Sequence, residues 1–597
     1  MLLRHRLRLW TFAVCTAAAF LAGSGAAAGK PVALINSSVA EGTAPLSVMF
    51  DALDCEGEIA EYTWDLGDES PGNRRAEHGW LAAHRYEEPG RYTVTLTVRD
   101  ESGEAAETSL VITAHEPDGK TYYFSDADGD DAHTPAQAQN PATPWKTMEK
   151  LDEEMTKAPA GTRFLLKRGD TFPSEGPHVG MMNTRPENPV VVGAYGEGPD
   201  PVIQAKRDHY ALLITSSGGL VMQDLHFRGV EQTGRGIYGY SHGGAGIRHL
   251  TLRRLTLENF DIGLYFSHGK ESKPNGYIIV EDCVLRGNRF TGWLAGQGSH
   301  FVVRNSELAH NGVHPTKHHN MYFQGDAFLI EDNYSHHGSG SAFNTHDTSH
   351  TVIRRNRIHT NGLEQGAGIG MAWNSAGNVV HHLLIEANDF YDNGLICWAQ
   401  EDKDPEVPND VTFRNNVFRQ NRRPLTYAYM DGLHVVNNTF YRNRGPDISE
   451  GGNQRSADCV IANNIFYREP SESPVFQRFY RDRYGAPDAY ARVDHITWAH
   501  NLVFVPGIGP DECTIGWLQA GDRKLAFDAW KALTGDTGAI YADPRFVDAA
   551  AGNFGLTPGS PALDAAAATC APPYDHAGTP RPQGHAPDIG ALEREAR

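Results

Sequence analysis

Apolar and polar residues alternate regularly in the segment Tyr92–Val98, where threonines separate the four apolar or aromatic positions. A period of two is the pattern of a β-strand with one buried face. Turns rich in Gly, Pro and Asp separate further short runs between residues 31 and 115. The pattern predicts a small β-sandwich in this part of the chain.

Three short motifs in the same segment are typical of a known module. They are Trp64–Asp68 (WDLGD), His84–Tyr86 (HRY) and Pro89–Val94 (PGRYTV). Together they resemble the PKD family of immunoglobulin-like modules, and the resemblance covers residues 31–115. Such modules act as spacers or weak binders beside secreted catalytic domains, so the resemblance implies no chemistry here.

Beyond Phe164 the chain repeats a unit of the form apolar-x-x-Asn-x-apolar. The asparagine recurs at Asn333, Asn356, Asn388, Asn416, Asn438, Asn464 and Asn501, six steps that span 168 residues with a mean of 28. Earlier copies have Leu225, Leu255, Cys283 and Ser306 at this position. Units too small to bury a core must stack on their neighbours. We expect each asparagine to take the left-handed backbone of a tight corner and to form a ladder along the stack.

This repeat resembles right-handed parallel β-helix proteins such as the pectate-lyase-like families. The segments Phe164–Phe172 and Val190–Gly196 resemble first coils, and Asp543–Phe546, Leu556–Ala562 and Asp588–Glu593 resemble a final segment. The predicted fold class is therefore all-β, a right-handed parallel β-helix over residues 120–597 after the PKD module. We expect an N-terminal cap at 120–160, where a helical pattern runs to Lys157, and a C-terminal segment at 540–597.

The first 28 residues have the composition of an export signal. Arg4, Arg6 and Arg8 precede the apolar run Leu9–Gly23, and Ala26–Ala28 offers a small-residue cleavage site. No other stretch approaches the roughly 20 apolar residues of a membrane span. We expect a secreted monomer, extracellular or periplasmic, without stable membrane insertion.

Charge and cysteine content narrow the function classes further. A net charge of -21 argues against nucleic acid as a partner. It leaves room for an anionic polysaccharide, because a local groove can be basic while the whole is acidic. The six cysteines beyond the leader have no CxxC spacing, which predicts buried small side chains with at most one incidental bridge: Cys55, Cys283, Cys397, Cys459, Cys513 and Cys570.

Aligning one strand per coil by its turn predicts two faces. The parity expected in the core is mostly apolar: Tyr265, Leu294, Met321, Phe343, Met371 and Cys397. The opposite parity is expected outside: Trp293, Asn320, Tyr322, Gln324, Asn344, His346, Asn374, Trp398 and Gln400. Amides, imidazoles and aromatic rings suit a sugar polymer. We therefore predict substrate binding by Gln324, Asn320, Asp347, Asn374, Trp293, Trp398 and Gln400.

The candidate catalytic residues lie in the same stretch. A base near its working pKa is most often histidine, so His346 leads as proton acceptor. Tyr322 and Lys317 are the other proton-transfer candidates, and Lys317 and His319 precede the strand that carries Tyr322. Asn344 or Gln324 can hydrogen-bond a substrate carboxylate and stabilise an enolate-like intermediate.

One local segment carries a second resemblance. Ser341–Ser349 (SAFNTHDTS) resembles the Tyr-Gly-Phe-Asp-Pro-His segment of mannuronan C5-epimerases, and His346 matches that family's catalytic histidine. Ser341 and Asn344 stand where the family has tyrosine and aspartate. The resemblance implies removal of the C5 proton of a uronate, which elimination of the leaving group can follow.

Metal sites are open alternatives. Asp126, Asp128 and Asp130 offer oxygen ligands to Ca²⁺, or form only a solvated acidic turn. A zinc cluster from His314, His318 and His319 is a further alternative. We expect a separate corner to hold His336, His337 and His359, which follow the asparagine anchor.

The leading hypothesis is a secreted polysaccharide lyase that cleaves a uronic-acid polymer by β-elimination. A glycoside hydrolase on the same fold needs two carboxylates, for which Asp347, Glu364 and Glu401 are the nearby acids. A uronan epimerase and a non-catalytic glycan-binding surface protein are the remaining alternatives.

Overall fold

The computed structural model describes residues 30–595, apart from 71–75, 101, 181–184, 216–217, 242–245, 269–272, 316, 363–366, 374–379, 401–408, 428–429, 452–455, 472 and 480–492. The backbone alone is described for His268, His346, 367–373 and 395–400. The predicted leader at 1–28 lies outside the described residues. Within those residues, every helix is too short or too polar to cross a membrane.

The N-terminal module is a β-sandwich. Its strands are β1 Asn36–Ser37, β2 Glu41–Thr43, β3 Leu46–Asp51, β4 Ile59–Asp65, β5 Ala76–His78, β6 Leu81–Tyr86, β7 Gly90–Asp100 and β8 Ala105–His115. A sheet of order β1-β3-β6 packs on one of order β2-β8-β7-β4-β5. The predicted alternation in β7 is real, because Val94, Leu96 and Val98 are buried and the threonines between them are partly exposed.

The rest of the chain is a long series of short strands with two helices. In the first half they are β9 Thr121–Phe124, α1 Met148–Met155, β10 Arg163–Lys167, β11 Thr171–Ser174, β12 His178–Val179, β13 Val190–Tyr195, β14 Val202–Ala205, β15 Tyr210–Ile214, β16 Leu220–Arg228, β17 Arg235–Ser241, β18 Arg248–Glu258, β19 Ile262–His268, β20 Asn275–Glu281, β21 Val284–Arg286, β22 Thr291–Arg304, β23 Glu307–Ala309, β24 Met321–Glu331, β25 Tyr334–His336, β26 Phe343–Arg354 and β27 Arg357–His359.

The second half continues the series. Its elements are β28 Ala367–Trp373, β29 Val380–Glu386, β30 Asp389–Tyr391, β31 Leu395–Gln400, β32 Asn409–Arg414, β33 Val417–Arg419, β34 Arg423–Tyr427, β35 Asp431–Val436, β36 Thr439–Tyr441, β37 Ile448–Glu450, β38 Cys459–Ala462, β39 Ile465–Tyr467, β40 Phe476–Arg478, β41 Ile496–Ala499, β42 Leu502–Phe504, β43 Gly516–Leu518, β44 Arg523–Leu525, α2 Phe527–Thr534, β45 Ile540–Tyr541, β46 Phe546–Asp548 and β47 Asn553–Leu556, followed by a 3-10 turn at Ala568–Cys570.

All of these strands except β44, β46 and β47 form the three parallel sheets of a right-handed β-helix. Strand β44 pairs antiparallel with β43, and β46 and β47 form a separate antiparallel pair. Sheet A contains β9, β10, β13, β20, β29, β32, β35, β38, β41, the first halves of β16 and β18, and the second halves of β22, β24 and β26. Sheet B contains β11, β14, β21, β23, β25, β27, β30, β33, β36, β39, β42, β45 and the second halves of β16 and β18. Sheet C contains β12, β15, β17, β19, β28, β31, β34, β37, β40, β43 and the first halves of β22, β24 and β26.

The repeated asparagines form the expected ladder at the corner between sheets A and B. Each amide nitrogen donates to the amide oxygen of the next anchor, as in Asn356 to Asn388 at 3.0 Å and Asn388 to Asn416 at 3.0 Å. The expected left-handed backbone lies one residue earlier, at positions such as Arg355 (φ 53°) and Ala387 (φ 53°). The asparagine therefore supplies side-chain hydrogen bonds to the corner, while its predecessor makes the turn.

The PKD module packs directly on the outer face of sheet A. Leu81 and Met49 of the module share an apolar cluster with Leu329, Val352 and other sheet A residues, all buried. The PKD module is therefore in direct contact with the β-helix.

Buried ion pairs reinforce this contact. The guanidinium of Arg354 lies 3.1 Å from Glu77 of the module and 2.7 Å from Glu331. Ser47 of the module donates to Glu281 at 2.6 Å, and Arg253 lies 2.7 Å from the same carboxylate. Charges buried in such pairs are costly to separate, so the two parts are coupled.

Both ends of the solenoid are covered. Helix α1 begins after Thr147, whose hydroxyl accepts from the Lys150 N–H, and buries Met148, Leu151 and Met155 against the open core. At the other end, helix α2 buries Phe527 and Trp530 in the same core. The C-terminal segment packs Leu556 and Ile589 on the outer face of sheet B, against Ile465 and Leu502.

Candidate functional site

The register of sheet C decides which side chains point outward. Leu264, Trp293, Met321 and Phe343 are successive partners and are fully buried. The next position in each strand faces outward, in the order Tyr265, Leu294, Tyr322 and Asn344. The backbone register of this row continues through Gly370 and Trp398. We call this row, which continues to Trp517, the outer column.

Three predicted orientations are therefore wrong. Trp293 is a core residue whose ring stacks 6.0 Å from Phe301, whereas Tyr265 and Leu294 lie outside. Aligning strands by their turns shifted two coils by one residue, and a one-residue slip moves every side chain to the other face.

Asn320 also differs from its predicted role as a substrate ligand. Its side chain is fully buried, accepts from the Asn311 amide at 3.0 Å and donates to the Asn361 amide oxygen at 3.1 Å. It thereby fills a second asparagine ladder at the place where the chain has Gly338. A Cβ on Gly338 would lie 2.9 Å from the Asn320 amide, so glycine is required there. These hydrogen bonds of Asn320 fix the start of β24 and thus the position of Tyr322.

The strands of the site bend without a turn. Strands β22, β24 and β26 each run from sheet C into sheet A, and Gln324 opposes two residues on both neighbours. On β26 these two residues are His346 and Asp347. A bulge of this kind re-aims side chains and is common beside active sites. It brings the His346 backbone next to Gln324 and one residue beyond Thr345, the partner of Phe323.

Tyr322 and Asn344 are direct register partners on the outer column. Burial raises the pKa of Tyr322 to about 12, so the phenol stays protonated at neutral pH. Asn344 is 2% exposed, and its amide nitrogen has no hydrogen-bond partner among the described residues. A buried amide without a partner is costly, and a ligand can satisfy it.

His319 stands beside this pair. Its ring centroid lies 6.0 Å from that of Tyr322, and its Nδ1 accepts from the Ser341 N–H at 3.0 Å. The neutral ring therefore carries its proton on Nε2. Lys317 is exposed in the same loop. The predicted zinc trio does not converge, since His314 and His318 have ring centroids 5.8 Å apart and the histidine cluster found among the described residues is a different one.

The remaining predicted residues divide into two groups. Gln324 and Asp347 are half-buried at the bulge. The side chains of His346, Trp398 and Gln400 lie outside the described part, and so do Asn374, Glu364 and Glu401 as whole residues. Their predicted roles remain predictions.

The acidic turn before the cap is held by lysines. Asp128 pairs with Lys167, the Asp126 carbonyl accepts from Lys146, and Asp130 accepts from the Ala132 N–H at 2.9 Å. The three carboxylates do not form a metal-binding group within the described residues. The calcium site is therefore not supported by this geometry.

Sequence reasoning missed a basic groove farther along sheet C. It has a volume of about 640 Å³ and is lined by Arg422, Arg423, Arg444, Lys524, Gln477 and Trp517 among others. Among its described lining residues, four are cationic and none is acidic. Gln477 and Trp517 are register partners on the outer column, so the groove shares a face with Tyr322.

An aromatic platform lies at the other end of that face. The rings of Tyr238 and Tyr265 stack at 5.1 Å, and the Arg235 guanidinium lies 4.6 Å from the Tyr238 ring. Stacked rings of this kind can cover the apolar face of a sugar. Aligning the strands of successive coils by their turns places Tyr265 in the core, so the sequence did not predict this platform.

Comparisons with known proteins agree with this architecture. Residues 28–114 match the PKD domain family, and residues 235–407 match the right-handed beta helix region. The predicted combination of a PKD module and a right-handed parallel β-helix is confirmed.

Individual relatives are distant. The chain is 32% identical over 87 residues to a lacto-N-biosidase of Bifidobacterium longum subsp. longum, which is 14% of this chain and 5% of that protein. A GH136 lacto-N-biosidase structure from Eubacterium ramulus has 16% identity, a TM-score of 0.37, and coverage of 65% of this chain and 68% of that chain. A family 28 exopolygalacturonase from Yersinia enterocolitica has 10% identity, a TM-score of 0.38, and coverage of 83% and 99%.

Proposed function

We propose that this protein is a carbohydrate-active enzyme that cleaves a uronate-containing polysaccharide by β-elimination on the outer column of sheet C. The observation that carries the proposal is the pairing of Tyr322 with Asn344 beside the bulge that contains His346. A phenol, an amide without a hydrogen-bond partner among the described residues and an imidazole-bearing strand position then stand on neighbouring coils about 4.8 Å apart.

Each group has a role in this chemistry. The Asn344 amide donates to the uronate carboxylate and stabilises the enolate as charge develops there. His346 accepts the C5 proton, and the C5–H electron pair forms the C4=C5 double bond as the C4–O bond breaks. Tyr322 donates its phenolic proton to the leaving oxygen. The pKa of Tyr322, raised to about 12 by burial, keeps this proton on the phenol at neutral pH.

The charge of the outer column supports an anionic substrate. The basic groove begins at Arg423 on β34, three strand spacings from Asn344, and reaches Trp517 on β43, six spacings away. These separations are roughly 14 Å and 29 Å at about 4.8 Å per spacing. Four cations there can bind carboxylates of the same polymer, despite the net charge of -21. The aromatic platform at Tyr238 and Tyr265 offers a further contact for the polymer at the opposite end of the outer column.

A glycoside hydrolase is the second candidate. The curated relative is named a lacto-N-biosidase, and Asp347 stands in the bulge beside His346. This reaction requires a second carboxylate roughly 5–9.5 Å from the first. Glu364 and Glu401 are the other carboxylates that the sequence offers as candidates.

The test is a panel of uronate and neutral polysaccharides, followed by ultraviolet absorbance and reducing ends in the same reaction. A β-elimination raises both signals on a uronate polymer. Reducing ends without the absorbance of an unsaturated sugar contradict the lyase and support the hydrolase. Saturable binding with neither signal contradicts both and supports a glycan-binding protein.

A further inference from the structure

Four histidines lie together at the corner that follows sheet B, away from the outer column. His336 and His359 end β25 and β27 and are register partners. His310 and His337 follow β23 and β25 with left-handed backbone, at φ 55° and 50°. The His310 N–H donates to the His336 carbonyl at 3.2 Å. Three successive coils therefore present imidazoles at the same corner.

Three of these imidazoles converge. Ring nitrogens of His310, His336 and His337 lie within 4.8 Å of one another. The His336 and His337 Nδ1 atoms are 2.8 Å apart, and the His310 ring centroid lies 4.8 Å from that of His337. Two nitrogens that face each other at this distance share either a proton or a cation.

Glu307 decides which nitrogen of His336 carries the lone pair. Its carboxylate lies 3.3 Å from His336 Nε2, on the side of the ring away from His337. A proton held on Nε2 by the carboxylate leaves the Nδ1 lone pair directed at the cluster. A carboxylate behind a histidine in this way is the usual support of a metal-binding imidazole.

His359 is excluded from the donor set by its own hydrogen bonds. Its Nε2 is 2.7 Å from the Tyr334 hydroxyl, and its Nδ1 is 2.8 Å from the Thr360 hydroxyl. It stacks on His336 at 5.2 Å and so forms a wall of the cluster.

We propose that His310, His336 and His337 bind one divalent transition-metal ion, with Glu307 as the positioning residue of His336. Imidazole donors suit Zn²⁺, Cu²⁺ and Ni²⁺ over Ca²⁺ or Mg²⁺. Nitrogens bind zinc at about 2.0–2.1 Å, so a small rotation of the exposed His310 ring completes the set. Because His310 belongs to one coil and the other two to the next, the ion cross-links two coils.

The test uses the tag-free full chain, stripped with a chelator and then titrated with Zn²⁺ or Cu²⁺ in a calorimeter. The informative variants are His310→Ala and His337→Ala, because both side chains are exposed and their loss leaves the core intact. The control is His382→Ala, from a second stacked pair in which His350 lies 4.9 Å away. Substituting Co²⁺ for Zn²⁺ in this site gives an absorption spectrum that reports ligation by nitrogen.

We expect one ion per chain, with affinity reduced at least tenfold in both cluster variants and unchanged in the control. Glu307→Gln lowers affinity by about 10–100-fold, because it removes the support of a ligand rather than a ligand. Absence of a saturable 1:1 site in the wild-type chain overturns the proposal and leaves a metal-free histidine stack. Retention of that site in both cluster variants overturns it as well.

Discussion

Tyr322 and Asn344 face each other across adjacent parallel strands of sheet C, and both side chains stand on the outer column. One is a phenol held in its protonated form by burial, and the other is a buried amide with an unsatisfied nitrogen among the described residues. Neither property stabilises the fold, and both suit a ligand that brings a carboxylate and a leaving oxygen.

The first prediction separates function from stability at Asn344. Asn344→Leu lowers kcat by roughly 10²–10³-fold, because a preorganised donor to the enolate is lost. Its free energy of unfolding changes by less than about 1 kcal/mol, since the removed amide nitrogen makes no hydrogen bond to the described residues. Rates on the active polymer and urea titrations measure the two effects.

Asn388→Leu is the matched control for this variant. The Asn388 amide donates at 2.9 Å to the Ile353 carbonyl and accepts from the Asn356 N–H at 2.8 Å. Its loss leaves several buried polar groups without hydrogen bonds, so the free energy of unfolding falls by about 3 kcal/mol or more. Equal stability losses in the two variants contradict the account of Asn344.

The second prediction concerns the basic groove. Charge reversal in Arg423→Glu with Lys524→Glu raises KM for a uronate polymer by at least about tenfold and weakens its dependence on salt. Arg207→Glu is the control, since that side chain is 65% exposed and lies outside the groove. An unchanged KM in the double variant rules out this groove as a substrate subsite.

The third prediction follows from the pKa of Glu281. Burial alone raises this pKa, but the guanidinium groups of Arg304, Arg253 and Arg85 hold it below its ordinary range. The ionised Glu281 carboxylate therefore stabilises the folded state. This contribution is fully present above the unfolded-state pKa of about 4.3, and it is lost as the pH falls toward the lower pKa of the folded state. Thermal unfolding between pH 7 and pH 3 measures the loss.

Glu281→Gln has a flatter stability profile below pH 4 and is less stable at pH 7 by about 3–5 kcal/mol, because it leaves buried arginines unpaired. Glu58→Gln, at an exposed position of the PKD module, is the control. A wild-type acid profile in Glu281→Gln contradicts the assignment.

The fourth prediction tests the fixed contact between the PKD module and sheet A. Leu329→Ala, at a fully buried interface position, lowers the free energy of unfolding by about 2–5 kcal/mol. Val111→Ala, at a position 38% exposed on the module, changes it little. We expect module and β-helix to unfold in one transition, which calorimetry resolves. Two separated transitions in the wild-type chain would contradict a coupled contact.

The sequence was a good guide where one residue type marks every coil. The asparagine anchors predicted a stacked solenoid, because each amide bonds the next and the same residue must recur. The second ladder escaped detection, because Gly338 interrupts it and Asn320 fills the gap from the loop that precedes β24. Local periodicity cannot show a side chain that enters a ladder from another segment.

The outer column was predicted only in part for a similar reason. Tyr322 and Asn344 were assigned to the outer face, whereas Trp293 and Tyr265 were exchanged between faces. Bulges at Gln324 break the period of two within β24 and its neighbours. The basic groove combines Arg423 with Lys524, about a hundred residues apart, and no local pattern indicates such a pairing.

The most direct test of the central claim compares initial rates of unsaturated product for Tyr322→Phe and Tyr277→Phe on the active uronate polymer. Burial raises the pKa of both tyrosines, but Tyr277 lies on sheet A. We predict a fall of roughly 10²-fold or more in kcat for Tyr322→Phe, as for loss of a general acid, and wild-type rates for Tyr277→Phe. Wild-type turnover by Tyr322→Phe would contradict the assignment of this face as the catalytic site.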